Sequence, residues 1–301
     1  VQVDNKVPNS KILSGKEPTM IKKLCVIGAG TMGAGIAQVA VENGIETVLR
    51  DVNDEFVQRG LNTVKTFVGK KLEKGKIDQA QYDAIMGRLK GSTDPKEAAA
   101  GVDMVIEAVF ESMDLKQKIF AELDSICPKE TILSSNTSTM SISKIASATK
   151  NPERVIGTHF FSPVPAMRLV EVIKGDKTSE DVVKATLDFS GQIGKTPILC
   201  KDVPGFIVNR LLCLLYNEAA NQIYNGMATA KDIDLGLKLG ANHPMGVCEV
   251  MDLAGVDVAH NALIALYEMT GSECYKPSPL FDQMRKENRL GRKTKKGFYE
   301  Y

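Results

Sequence analysis

The sequence predicts an α/β fold: a doubly wound, mainly parallel sheet with an inserted helical arm, followed by an all-α C-terminal domain. Three observations predict it. An apolar run, Leu24-Cys-Val-Ile27, leads straight into Gly28-x-Gly30-x-x-Gly33 and an alanine-rich helix. Short strand-like runs then alternate with helical stretches as far as residue 202, and beyond Val203-Pro204-Gly205 the strand signal almost vanishes.

Residues 1–19 carry Asp4, Glu17 and two prolines but no apolar segment, and are expected to be a disordered extension or cloning remnant ahead of a start near Met20. Thr47-Val-Leu49 follows the first helix as a second strand. From Asp54 to Lys90 the chain is charged and helical in period, with Phe56, Leu61, Val64, Phe67, Val68 and Leu72 on one side. Two helices joined around Gly75-Lys76 would form an arm between the second and third strands. Strands recur at 104–106, 131–134, 155–158, 169–173 and 196–199, with helices expected at 115–126, 141–148 and 179–193. This gives a nucleotide-binding domain over 20–202 and, after a hinge at Val203-Pro204-Gly205, a helical substrate and dimerisation domain over 203–301. Its helices are expected at 206–225, 230–239, 256–268 and 278–287.

The glycines have separate tasks. Gly28 permits the tight strand-to-helix turn, Gly30 lets a pyrophosphate reach the backbone, and Gly33 lets helix and strand pack closely. With Ala29, Thr31 and Met32 they form a Rossmann-type loop whose helix N-terminus favours an anion. Asp51, at the end of the second strand, suits the adenosine ribose hydroxyls and repels a 2′-phosphate, so NAD is the expected cofactor. Arg50 beside it admits NADP as a secondary one.

Composition limits the alternatives. The 301 residues are 43% hydrophobic, and 38 Lys+Arg against 37 Asp+Glu leave a net charge of +1, which points to no nucleic acid and no membrane surface as partner. The six cysteines have no metal-ligand spacing and read as buried thiols of a reducing, cytoplasmic compartment. The apolar stripes of the second domain suit either its own core or a subunit interface, and a homo-oligomer is expected.

Three histidines are present. His159, in Gly157-Thr-His-Phe-Phe-Ser-Pro-Val-Pro165, falls where a strand ends in a stiff loop, the place for ligands in an open α/β sheet. Glu171 on the next strand would fix its tautomer and stabilise its charged form; the alternative is an edge-strand carboxylate facing solvent. The polar run Ser134-Ser-Asn-Thr-Ser-Thr139 and Asn209, one turn into the first helix after the hinge, would supply donors to a substrate oxygen, although each also suits a cap or turn.

Gly28-Ala-Gly-Thr-Met-Gly33, Ser135-Asn-Thr-Ser138, His159-Phe-Phe-Ser-Pro-Val-Pro165 with Glu171, Pro204-Gly-Phe-Ile-Val-Asn-Arg210 and Gly297-Phe-Tyr299 together resemble the 3-hydroxyacyl-CoA dehydrogenases, over essentially all of residues 20–301. Within that family the likeness is to the bacterial 3-hydroxybutyryl-CoA dehydrogenases. The resemblance implies reversible, NAD-linked interconversion of a 3-hydroxyacyl-CoA and a 3-oxoacyl-CoA. It makes His159 the general base, Glu171 its partner, and Ser138 and Asn209 holders of the substrate oxygens. It places Glu111, Lys116, Lys293 and Ser138 around the cofactor. The arm looks like a CoA-binding one, with Lys70 and Lys74 meeting the phosphates of the acyl-CoA.

Two positions depart from the family pattern: Ser162 stands where asparagine is common, putting one hydrogen bond in doubt, and Val247-Cys248 replaces a proline-containing turn, which would alter packing. Two rival readings are a lysine-using 3-hydroxyacid dehydrogenase and a nicotinamide-binding structural protein.

Overall fold

The computed structural model describes residues 19–301. The reading of residues 1–19 as an extension lies, Thr19 apart, outside the described residues. The chain divides into two compact units, one ending at Asp202 and the other spanning Val203–Tyr301.

Among the described residues the first unit is built on eight strands: β1 (Lys23–Ile27), β2 (Glu46–Arg50), β3 (Leu89–Ser92), β4 (Met104–Glu107), β5 (Ile132–Ser135), β6 (Val155–Phe160), β7 (Leu169–Lys174) and β8 (Thr196–Lys201). They lie in the order β3-β2-β1-β4-β5-β6-β7-β8. β3 to β6 run parallel across β2 and β1, and β7 pairs antiparallel with β6. The order reverses between β1 and β4, so a crevice opens at their carboxyl ends. β1, β4 and β5 are buried almost throughout, which is why they read as continuous apolar runs rather than alternating ones.

Helix α1 (Thr31–Glu42) is buried from Gly33 to Val41 against this sheet. The core joins Leu24, Val26, Ile36, Leu49, Ile106, Phe160, Val172 and Phe189, each fully buried side chain contributing about 1.5–3 kcal/mol. The arm consists of α2 (Asp54–Glu73), started by Asn53 accepting from Phe56 N, and α3 (Gln79–Gly87), started by a reciprocal Asp78–Gln81 capping box. The buried stripe of α2 is Val57, Gly60, Val64 and Val68; Phe67, expected on that side, is exposed. Helical reading to Lys90 also overran. Leu89-Lys-Gly-Ser92 pairs with β2 as the edge strand, a pairing that its non-alternating sequence does not announce. A short α4 (Pro95–Ala98), then α5 (Met113–Ile126), α6 (Ile142–Ala146) and α7 (Glu180–Gln192) complete the unit.

The second unit is helical: α8 (Val208–Tyr224), α9 (Ala230–Gly240), α10 (Val247–Ala254), α11 (Val256–Thr270) and α12 (Pro279–Lys286). Its core joins Cys213, Cys248, Met251, Leu263, Leu266, Phe281 and Met284. α10 was not expected from the sequence. It starts because buried Asp234 of α9 accepts from Cys248 N and Glu249 N, at 2.8 and 3.0 Å. Val247 and Cys248 are buried at that start. Asp252 accepts from Phe298 N and Tyr299 N, both at 2.9 Å, which anchors the Gly297-Phe-Tyr299 tail. A Cβ on Gly297 would lie 1.9 Å from the Asp252 carboxylate, so only glycine fits. Five cysteines are buried as expected, but Cys274 is exposed. Among the described residues no single helix is long and apolar enough to cross a membrane.

Candidate active site

The glycine loop turns from β1 into α1 with Gly28 at φ +103°, where a Cβ would lie 2.6 Å from the Ala108 carbonyl oxygen. A Cβ on Gly33 would come within 1.7 Å of the Gly28 oxygen. Gly30 differs: a Cβ there would meet nothing within 4 Å. The protein's own packing therefore does not require glycine at 30, and the open backbone beside an α1 start without a side-chain cap fits a pyrophosphate. Ala29 is buried, Thr31 exposed and Met32 packed on the core. Asp51 accepts from Ala29 N at 2.7 Å through Oδ2 and from Val52 N at 2.7 Å through Oδ1, joining the carboxyl ends of β1 and β2. Arg50 Nε donates to the Thr93 carbonyl at 3.3 Å.

His159 lies inside β6 rather than after it. Ser135, the last residue of β5, pairs with Gly157, so His159 runs past that strand's end at the carboxyl edge of the parallel strands. Glu171 is its direct partner in the antiparallel register, and Nδ1 meets Oε2 at 2.7 Å. Glu171 is fully buried and β7 is interior, flanked by β8, so it is no solvent-facing edge carboxylate. The Phe161 ring packs 4.6 Å from the imidazole. Burial, together with Glu171 and Asp202, pushes the neighbouring Cys200 thiol up to about 12. The β6–β7 loop, with Ser162 exposed in it, is clamped by Lys195, whose buried ammonium donates to the carbonyls of Val164 at 2.5 Å and Met167 at 2.7 Å.

A second cluster borders the same strand ends. Ser138 is half-buried, in the turn after β5, and its N–H donates to Glu111 Oε1 at 2.6 Å. Lys116 is buried and pairs with Glu107 at 2.7 Å and Glu111 at 3.3 Å. Asn136 Oδ1 accepts from Phe160 N at 2.9 Å, tying this turn to the strand of His159. Glu111, Lys116 and Ser138 are thus brought together within the first unit.

Asn209 and Lys293 belong to the second unit. Asn209 is the second residue of α8, earlier in the helix than expected, because α8 begins at Val208. Lys293, in a short 3-10 turn, donates to Asp257 at 2.5 Å. Lys70 and Lys74 are exposed near the C-terminal end of α2, with Lys70 lying 5.5 Å over the Phe67 ring. Lys70 is about 24 Å along the helix from Asp54.

The family profile described as "3-hydroxyacyl-CoA dehydrogenase, NAD binding domain" matches residues 23–203, and "3-hydroxyacyl-CoA dehydrogenase, C-terminal domain" matches 205–301. The chain belongs to the 3-hydroxyacyl-CoA dehydrogenases. It is similar to the 3-hydroxybutyryl-CoA dehydrogenase of Clostridioides difficile, 42% identical over 93% of this chain and 99% of that one. It is also similar to the probable 3-hydroxybutyryl-CoA dehydrogenase of Bacillus subtilis, 42% identical over 93% and 98%. The crystal structure of (S)-3-hydroxybutyryl-CoA dehydrogenase from Ralstonia eutropha matches with a TM-score of 0.90 and 41% identity, over 94% of this chain and 99% of that one.

In this 3-hydroxyacyl-CoA dehydrogenase, Glu107 and Lys195 also bear on the candidate site, and sequence reasoning missed them; Asn136 and Thr137, read as donors within the polar run, instead accept from Phe160 N and donate to Glu111. For Glu107 a signal existed: a carboxylate ending the apolar run Met104-Val-Ile106 is a charge at a buried strand end. Lys195 had none, because its carbonyl partners come from a loop whose path only the folded chain defines.

Proposed function

We propose that the chain reversibly interconverts a four-carbon (S)-3-hydroxyacyl-CoA and its 3-oxo form, reducing acetoacetyl-CoA with NADH and accepting NADPH as a secondary cofactor. The carrying observation is the buried His159–Glu171 pair at the strand ends. The bound nicotinamide supplies the hydride donor or acceptor. With Nδ1 committed to Glu171, the proton passes at Nε2. In oxidation His159 takes the 3-hydroxyl proton and Glu171 stabilises the resulting imidazolium; in reduction the imidazolium returns it to the nascent alkoxide. Ser138 and Asn209 donate to the substrate oxygens, where charge develops.

On this reading the glycine-loop amides hold the pyrophosphate, Asp51 the adenosine ribose, and Glu111, with Lys116 behind it, the nicotinamide ribose. Lys293 serves the cofactor, and Lys70 and Lys74 take CoA phosphates. Engagement of Lys116 and Lys195 by carboxylates and carbonyls favours histidine over a lysine base. Exposed Ile207, Leu211 and Leu215, four residues apart, with Leu235 and Leu239 of α9, support a homodimer formed through the second unit.

The test follows absorbance at 340 nm with acetoacetyl-CoA and either NADH or NADPH, for the wild type and His159→Gln. NADH oxidation lost in the variant is the expected result. Equal turnover in both proteins would remove His159 from the chemistry, and no wild-type turnover with either cofactor would favour a structural, nicotinamide-binding protein.

A further inference from the structure

Glu107 ends β4 at the middle of the sheet, in register with Ile27 of β1 and Ser135 of β5. It is fully buried, and its carboxylate is engaged on both oxygens. Oε1 accepts from Val109 N and from Lys116 Nζ, each at 2.7 Å, and Oε2 accepts from Ser135 Oγ at 2.7 Å. Lys116 passes the connection to Glu111 Oε2. Glu111 Oε1 receives Ser138 N and, at 2.9 Å, Thr137 Oγ1. Thr137 N returns to Ser135 Oγ at 3.3 Å, closing a ring through the β4 end, the first turn of α5 and the β5 turn.

Two features give this ring a direction. Its side chains are buried except that of Glu111, whose exposure is 39%, so the network leads from the sheet interior to one solvent-facing carboxylate and to the half-buried Ser138. Its charges are two carboxylates around one ammonium, and a buried ammonium holds its place only while its partners do. Without the Glu107 charge, Lys116 would draw Glu111 inward, away from the crevice, and the turn that depends on Glu111 would follow.

We infer that Glu107 is a positioning residue for both ends of the reacting pair. Through Lys116 it sets Glu111 toward the cofactor ribose, and through Ser135 it sets the turn that presents Ser138 to the substrate. Lys116 acts as the buried link between the two carboxylates rather than as a direct contact to the cofactor. The inference rests on the NAD-linked acyl-CoA reading of this site.

Glu107→Gln, which keeps volume and removes charge, separates positioning from mere stability. NADH affinity is read by fluorescence titration, alongside kcat and KM for acetoacetyl-CoA and the melting temperature. Glu107→Gln and Glu111→Gln should each weaken NADH binding about tenfold, the scale of one charge-assisted hydrogen bond. The double variant should bind within about twofold of Glu111→Gln alone, because coupled residues are not additive. Ser135→Ala, a milder cut that serves if Glu107→Gln does not fold, should raise the acetoacetyl-CoA KM with NADH affinity unchanged.

Multiplying effects in the double variant would overturn the inference. So would a Glu107→Gln protein that melts lower yet binds NADH like wild type, or a Ser135→Ala protein with wild-type KM. A wild type that binds no NADH would instead overturn the functional reading, and the inference with it.

Discussion

His159 and Glu171 oppose each other across the antiparallel β6–β7 junction, Nδ1 to Oε2 at 2.7 Å, and both are buried. Direct cross-strand pairing holds their Cβ atoms about 5 Å apart without help from a loop. Glu171→Gln keeps the shape and removes the charge that would balance an imidazolium. We expect turnover of acetoacetyl-CoA to fall about a hundredfold or more, while NADH binding changes less than about twofold. Stopped-flow and fluorescence titration measure the two, and wild-type turnover in the variant would reduce the pair to a structural role.

Gly30 and Gly33 should fail differently. Gly30→Ala has open space for its methyl group, so its melting temperature should match wild type while NADH binding is lost. Gly33→Ala drives a Cβ into the Gly28 carbonyl and should lower the melting temperature as well. Calorimetry with and without NADH distinguishes them; a Gly30→Ala protein that binds NADH normally would argue against the pyrophosphate placement.

Asp51→Asn retains an acceptor for Ala29 N and removes the negative charge at the end of β2. The ratio of kcat/KM for NADPH to that for NADH should rise about tenfold, as expected for one charged hydrogen bond and one repulsion lost. An unchanged ratio would assign cofactor choice to other groups.

His260 of α11 is buried, stacks on Phe281 at 5.6 Å and accepts from Arg285 at 3.0 Å through Nδ1, with the exposed Asp282 at 3.8 Å from Nε2. Burial lowers its pKa below the usual 6.5; Asp282 partly opposes this and Arg285 adds to it. The unfolded chain then binds the proton more readily than the folded one. Stability is full above about pH 6.5, falls as pH drops toward the folded-state pKa, and levels off below it. Melting curves from pH 8 to 5 should show this slope, and His260→Leu should flatten it.

Much of the candidate site was legible because the chemistry proposed for it is carried by residue type at strand ends. The glycine spacing and Asp51 each answer to a backbone constraint that acts within a few residues. Glu171 was legible only as an acid on the next strand. Whether it faced His159 or solvent depended on an antiparallel register that no local pattern encodes. β3 was lost for a related reason: Leu89-Lys-Gly-Ser92 becomes a strand only because β2 offers it an edge. α10 was lost because its start depends on Asp234, fourteen residues away.

The sequence by itself determined the strand–helix alternation of the first unit, the helical character of the second and the glycine turn between β1 and α1, since apolar periodicity and glycine conformations act locally. Tertiary structure alone decided which carboxylates became buried partners. Glu107 and Glu171 look alike in the chain, yet one closes a ring through Lys116 and the other fixes a histidine. What separates them is the neighbouring strand each one meets, because a charge removed from water persists only where the fold supplies donors on every side.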